Sequence, residues 1–223
     1  MGVWSSRVVP ELVHRVMQRP RFLPWRRRLV AEARGEVLEI GVGSGLNLPL
    51  YGRRVRRLVG VDPSTALLAR ARRAAEWVNL PVELHETGAE TLPFADARFD
   101  TVVSSWTLCS VGDLARVLAE IRRVLRPEGT FLFLEHGRAP DPALARWQRR
   151  LTPLWRRLAG GCRLDRDVPA ALRAAGFRVE TVEAGHLIRG PRLLTWHWFG
   201  RARPADGPAD ATTDPEAGSG TAR

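Results

Sequence analysis

Glu36-Val-Leu-Glu-Ile-Gly-Val-Gly-Ser-Gly45, followed by Leu58-Val-Gly-Val-Asp62, is the stretch that decides the fold. Val37–Ile40 is a short apolar strand that runs straight into a turn with glycine at 41, 43 and 45. Glu39 stands two residues ahead of the first glycine. A second apolar strand, Leu58–Val61, ends on Asp62, 17 positions past Gly45. A glycine-rich turn after a first strand lets a ligand approach the backbone closely, and an acid ending the second strand can take a ribose diol. The dinucleotide fingerprint wants a third glycine where this chain has Leu46. The G-x-G-x-G spacing suits instead an adenosyl ligand with a methionine tail and no pyrophosphate.

Working outward, Val82–His85, Phe99–Ser104 and Thr130–Glu135 read as strands three to five. Ser64 caps a helix with Leu67, Leu68, Ala71 and Ala75 on its apolar stripe. Asp113 caps another with Leu114, Val117, Leu118, Ile121 and Leu125 on one face, stopped by Pro127 and Gly129. Pro142–Ala159 is amphipathic, with Leu144, Trp147, Leu151, Trp155 and Leu158 opposite five arginines, and Thr152-Pro153 is placed to restart the helix. Asp167–Ala175 is a further helix closed by Gly176, and Phe177–Val182 and Leu193–Phe199 are two more strands. The pattern predicts an α/β fold: a doubly wound, mostly parallel seven-stranded sheet with helices on both faces. Residues 1–35, with Val8, Leu12 and Val16, form a helical N-terminal extension. Residues 36–200 form the main domain, with a helical insert at about 140–168, and 201–223 hold no Leu, Ile, Val or aromatic and read as a disordered tail.

The chain of 223 residues is 44% hydrophobic and 26% charged, which suits one soluble domain and excludes a collagen-like or wholly disordered chain. All 35 basic residues are arginine, against 24 acids, for a net charge of +11. Lysine is absent, a coding bias of G+C-rich, bacterial genomes. Because the arginines are spread over almost every element, the charge does not indicate a nucleic-acid partner. No apolar run could span a bilayer and the N-terminus has no signal-peptide core, so a cytoplasmic protein is expected. Met1-Gly2 with Ser6 matches a myristoylation pattern, and coincidence is the simpler reading. Cys109 and Cys162 make neither a disulfide framework nor a metal signature, and no metal is expected.

The runs VLEIGVGSG, VDPS, GAETLPFADARFDTVVSSWTLCSV and EIRRVLRPEGTFLFLEH, in order across about 36–136, resemble class I S-adenosylmethionine-dependent methyltransferases, whose fold is Rossmann-like. LCSV, the EH closing strand five and GCRLDRD resemble more narrowly the methyltransferase-like family of alkyl thiol S-methyltransferases. GVGSGLNLPLY is similar to bacterial phosphatidylethanolamine and quinone methyltransferases. The resemblance implies S-adenosyl-L-methionine as cofactor. Gly41, Gly43 and Gly45 would border its methionine portion, and Glu39 would orient the loop or reach the ammonium. Asp62 would hold the ribose hydroxyls, Pro63 and Ser64 would lie against the adenine, and Ala89 and Glu90 would edge it. Related enzymes often carry Asp where this chain has Gly88. Ser105 and Trp106 would face the sulfonium and the nucleophile.

His136, at the carboxyl end of strand five, is with Trp106 the candidate catalytic residue; a buried structural histidine is the rival reading. Glu135 should point to the opposite side of the strand. Cys109 and Cys162 line a pocket or simply pack, and His186 belongs to a site or the surface. Six of the eight tryptophans lie outside 36–136, where they build a lid over a hydrophobic acceptor or pack onto the sheet. The expected function is methyl transfer to a small lipophilic acceptor, first a thiol. The alternatives are a phospholipid headgroup amine or quinone ring, and a non-catalytic S-adenosylmethionine-binding protein. The 142–159 helix also suits contact with a membrane surface. The sequence says nothing of oligomeric state.

Overall fold

In a computed structural model, which describes residues 9–205, two helices precede the sheet: α1 (Val9–Met17) and α2 (Leu23–Val30). The chain then alternates through β1 (Gly35–Ile40), β2 (Val55–Asp62), α3 (Thr65–Ala75), β3 (Val82–Glu86), β4 (Phe99–Ser105), α4 (Leu114–Val124) and β5 (Leu125–His136). It closes with α5 (Pro142–Leu158), α6 (Val168–Ala174), β6 (Phe177–His186) and β7 (Trp196–Pro204). The strands form one sheet in the order β3-β2-β1-β4-β5-β7-β6. β1 to β5 are parallel, and β7 runs antiparallel between β5 and β6. Among the described residues no helix is long and apolar enough to cross a membrane.

The central strands are apolar on both faces because both are covered. Ile40, Val102, Phe131 and Phe133 pack with Val117, Leu118 and Ile121 of α4 and Leu172 of α6. On the other face Val37, Val103, Leu132 and Leu134 pack with Leu68 of α3 and with Leu29 and Val30 of α2. The N-terminal helices are thus part of the core: α2 covers sheet surface that the 36–136 elements leave bare. Serine and aspartate caps fix where helices begin. Ser64 accepts from Leu67 N–H, Asp113 from Arg116 N–H and Asp167 from Ala170 N–H. Asp141 caps α5 in the same way, accepting from Leu144 N–H at 2.6 Å.

Several expectations need correction. Strand β7 does not end near Gly200 but continues to Pro204, so 201–204 are no tail. Ala202 is fully buried between Phe131 and Val179, and Arg201 and Arg203 both pair with Glu180. Backbone pairing on both sides holds a segment that has little apolar surface of its own. The rest of the expected tail, 206–223, lies outside the described residues, as do Val8 and the Met1-Gly2 pattern. The last strand also starts later than expected, at Trp196, because Arg192–Leu194 is a 3-10 turn.

Helix α5 is continuous through Pro153. Thr152 does not cap a second helix; its hydroxyl donates to Gln148 C=O at 2.8 Å and accepts from Leu164 N–H at 3.3 Å. The inner face of α5 is also only partly its Trp/Leu stripe, of which Leu144, Leu151 and Trp155 are half-buried. Gln148 is fully buried, accepting from Ala139 N–H at 2.9 Å and donating to Gly137 C=O at 3.1 Å, while Trp147, Leu154 and Leu158 are exposed. Polar side chains satisfied by loop backbone won the inner face, so part of the apolar stripe faces solvent.

The reach of β7 sets a measurable boundary. A chain ending after Gly200 should be less stable than one ending after Ala205 by about 2 kcal/mol, roughly 4–8 °C in melting temperature. Equal melting temperatures would show that the last strand contributes nothing past Gly200.

Candidate active site

The strand order reverses between β1 and β4, and the turn after β1 opens at that switch point, at the carboxyl ends of the parallel strands. Gly41, Gly43 and Gly45 have φ of 67°, 56° and 78°, in the left-handed region that glycine enters without cost. Their side-chain directions differ. A Cβ on Gly41 would lie 2.1 Å from Thr107 Oγ1, and one on Gly45 would press against Leu48 and α3. A Cβ on Gly43 would meet nothing closer than the Gly41 carbonyl at 3.9 Å. Only Gly43 leaves open space for a ligand on its free side; Gly41 and Gly45 are glycines for packing. A side chain at Gly41 would collide with Thr107 rather than enter that space.

Asp62 grips this turn. One carboxylate oxygen accepts from Gly43 N–H at 3.0 Å and the other from Ser64 N–H at 2.8 Å. Burial raises its pKa, against the pull of those two donors. Each oxygen keeps a further lone pair for another donor. Pro63 is exposed beside it, and Ser64 is spent on capping α3. Across the cleft Ala89 is buried, while Glu90 accepts from Gly112 N–H at 3.1 Å and so ties the loop after β3 to the one before α4.

Glu39 does not reach outward. Its oxygens accept from Asn47 Nδ2 at 2.7 Å and Tyr51 OH at 2.8 Å, and burial pushes its pKa up to about 7. Both of its oxygens are thus engaged by residues of the segment that follows the glycine turn. Asn47 also donates to Ser105 Oγ at 3.2 Å and accepts from Arg26 Nη1 at 2.9 Å. Arg26, on α2, is a site residue that sequence reasoning missed. It is buried, its Nε has no partner, burial lowers its pKa to about 10, and its guanidinium stands 4.8 Å over the Trp106 ring. In the sequence it is one of three consecutive arginines, and nothing but the helix register sets it apart.

Trp106 follows β4 at φ 53°, an uncommon conformation for a large side chain. It packs edge-on against Phe22 at 5.3 Å and faces His197 at 6.1 Å. The loop it opens is held by Glu135, whose buried carboxylate accepts from Ser104 Oγ, Thr107 N–H and Cys109 N–H. Burial pushes that carboxyl up to about 7. Glu135 and His136 diverge, as period two requires. His136 is buried and stacks on His197 at 5.0 Å, with Nδ1 3.3 Å from Cys162 Sγ and Nε2 without a partner. His197 donates from Nδ1 to Thr195 C=O at 2.7 Å and is held neutral, its pKa lowered to about 3 by burial and by His136. It was not singled out in the sequence, because nothing local marks a histidine in the last strand. His186 lies apart from these groups, on Thr195 Oγ1 at 2.9 Å.

Residues 38–133 match the methyltransferase domain family. The chain is 41% identical over 138 residues to the phosphatidylethanolamine N-methyltransferase of Cereibacter sphaeroides, covering 56% of this chain and 68% of that one. It is 32% identical over 180 residues to the human thiol S-methyltransferase TMT1B, covering 77% of this chain and 72% of that protein. The chain belongs to the S-adenosylmethionine-dependent methyltransferases. The fold of this methyltransferase is that of the crystal structure of YcgJ protein from Bacillus subtilis, with a TM-score of 0.67 at 18% identity over 84% of this chain and 99% of that one. S-adenosyl-L-methionine is the cofactor of the family, and the open side of Gly43 and the unpartnered Arg26 Nε fit such a group.

The raised pKa of Glu39 predicts a pH effect on the methyltransferase's stability. Between about 4.5 and 7 the folded chain keeps a proton on Glu39 that the unfolded chain has released, so stability falls as pH rises across that window and levels off above it. Glu39→Gln carries no such proton, and Tyr51 can turn its hydroxyl to accept from the amide. Its unfolding free energy should fall less than the wild type's across the window, by on the order of 3 kcal/mol. Parallel pH profiles in urea titrations would mean that Glu39 is already ionised in the fold.

Proposed function

We propose that this methyltransferase acts on the sulfur of a small lipophilic thiol, giving a thioether and S-adenosylhomocysteine. The observation that carries the reading is His136. It is a buried imidazole at the carboxyl end of β5, with Nε2 unpartnered, backed by the neutral ring of His197 and set in a wall that includes Trp106. The likeness to a thiol S-methyltransferase over most of the chain supports it.

When bound, S-adenosylmethionine supplies an electrophilic methyl carbon on a sulfonium that is already a good leaving group. The protein's contribution is alignment and a dry enclosure. Asp62 takes the ribose hydroxyls with its remaining lone pairs, and the Gly41–Gly45 backbone, with Ser105, borders the methionine portion. Pro63, Ser64, Ala89 and Glu90 edge the adenine. Arg26, already over Trp106 and bonded to Asn47, holds the carboxylate of the methionine end. Trp106 and Phe22 exclude water beside the sulfur. His136 accepts the thiol proton at Nε2, so the attacking atom is the thiolate, while Cys162 at Nδ1 holds the ring.

Cofactor binding and turnover separate these roles. Asp62→Ala should weaken S-adenosylhomocysteine binding tenfold or more in calorimetry, since charge-assisted bonds contribute roughly 1.5–3 kcal/mol. Arg26→Gln should do the same, yet leave methylthioadenosine, which has no carboxylate, unchanged. His136→Ala should keep cofactor affinity and slow thiol methylation about 10²–10⁴-fold, a deficit that shrinks as pH rises through the thiol's own ionisation. A pH-independent loss would make the histidine structural. Turnover of phosphatidylethanolamine but of no thiol would overturn the acceptor.

That second acceptor class has its own support in α5. Trp147, Leu154 and Leu158 are exposed along one flank, beside Arg146, Arg149, Arg150, Arg156 and Arg157. Neighbouring ion pairs join Arg138 to Asp167 and Arg163 to Asp165, and leave these five arginines without an acidic partner among the described residues. An apolar flank next to unpaired cations suits the surface of an anionic membrane, from which either a lipophilic thiol or a headgroup could be taken. The full chain should float with phosphatidylglycerol vesicles at low salt, and Trp147→Asp should lower the bound fraction several-fold. Equal binding to neutral vesicles would remove the arginines from the contact.

A further inference from the structure

The chain has two cysteines, 53 positions apart, and the fold sets them side by side. Cys109 stands in the loop after β4 and Cys162 in the loop between α5 and α6. The two loops are joined through the backbone: Arg163 N–H donates to Cys109 C=O at 2.8 Å. Gly161, at φ 91°, has no room for a side chain, because a Cβ would lie 2.9 Å from the Ser110 carbonyl. Arg166 reaches across with both guanidinium nitrogens, to the Leu108 and Val111 carbonyls. The methyl-transfer chemistry uses Cys162 only as a support for the His136 ring and gives Cys109 no part.

The two sulfurs are not equivalent. Cys162 is partly exposed, touches His136 Nδ1 at 3.3 Å, and is pulled toward the thiolate by the Cys109 thiol and by His136. Cys109 is buried, and the neighbouring Cys162, burial and Glu135, in that order, keep it protonated. An accessible thiolate beside a protonated partner is the arrangement of an attacking and a resolving cysteine.

We propose that Cys109 and Cys162 form an oxidation site, which a hydroperoxide converts to a reversible disulfide fastening the α5–α6 loop to the loop after β4. The Cys162 thiolate attacks the O–O bond, taking one oxygen as a sulfenic acid and releasing water or an alcohol. The Cys109 sulfur then displaces that hydroxyl, which leaves as water with the Cys109 proton, and the S–S bond forms. Peroxide is reduced and the two thiols are oxidised. In the disulfide Cys162 can neither accept from His136 Nδ1 as a thiolate nor move apart from the loop that carries Trp106. The oxidation is independent of which acceptor the methyltransferase takes.

Treating the full chain with stoichiometric hydrogen peroxide should lower the intact mass by about 2 Da, the two hydrogens lost. Peptide mapping without reductant should join the segments that contain residues 109 and 162, and dithiothreitol should restore both thiols. Hydrogen exchange of 159–166 should slow at least several-fold on oxidation. Cys109→Ser should stop at a dimedone-reactive sulfenic acid on Cys162, and Cys162→Ser should leave Cys109 unmodified over the same time. Two freely alkylatable thiols in the treated wild type, or a disulfide found only between two chains, would overturn the proposal. So would oxidation of both single variants at equal rates.

Discussion

The whole site hangs on one backbone constraint: within five residues the chain after β1 must adopt positive φ three times, at Gly41, Gly43 and Gly45. That contortion lets the turn sit at the point where the strand order reverses, with the Gly41 and Val42 N–H groups still donating to Val61 C=O of β2 and the Gly43 N–H turned to the Asp62 carboxylate. It also leaves the turn with few side chains to hold it. The structure supplies the missing restraint from elsewhere: Asp62 from β2, Asn47 just downstream, and His14 of α1, whose ring nitrogen lies 2.8 Å from Ser44 Oγ. Glycines give the conformation, and polar groups from other elements keep it in place.

The same device recurs at the ends of three parallel strands. Glu39, Asp62 and Glu135 close β1, β2 and β5, each buried, and each uses its carboxylate on the loop that follows or faces it. Buried acids are costly unless hydrogen-bonded, and all three have at least two donors. Their pKa values are raised because desolvation outweighs those bonds. Loops fixed in this way carry Gly43 after β1, Trp106 after β4 and, at the end of β5, His136, all at the carboxyl end of the parallel strands. The cations balancing them are also buried: Arg26 joins the Glu39 network through Asn47, and Arg166 holds the loop after β4. For these two arginines the +11 net charge says little about partners, whereas the unpaired arginines of α5 belong to the surface.

The α/β alternation, the seven strands and the methyltransferase resemblance were legible because each is a local pattern. Hydrophobic runs of strand length, Ser and Asp caps, and glycines at fixed offsets occur within a few residues of the groups they act on. Asp62 could be placed for the same reason, since a strand's last residue is read from the strand itself. The misreadings also share a cause. At Thr152-Pro153 a good local cap signal was overridden when Thr152 bonded back to Gln148, and at 201–204 a segment with nothing to bury was held by pairing on both sides. Neither outcome depends on the composition of the segment concerned.

What the sequence by itself determined is the order of elements, the cofactor turn and the chemical family, all of which rest on short-range periodicity and stereochemistry. Tertiary structure alone decided which of three consecutive arginines enters the site, that Gly43 rather than Gly41 faces open space, and that His136 stacks on His197. It alone set two cysteines 53 positions apart on loops joined by the bond from Arg163 N–H to Cys109 C=O. These are contacts between elements far apart in the chain. They are fixed by helix register and by the antiparallel return of β7, and no local pattern encodes them, because neither partner's neighbours in sequence feel the other until the sheet has closed.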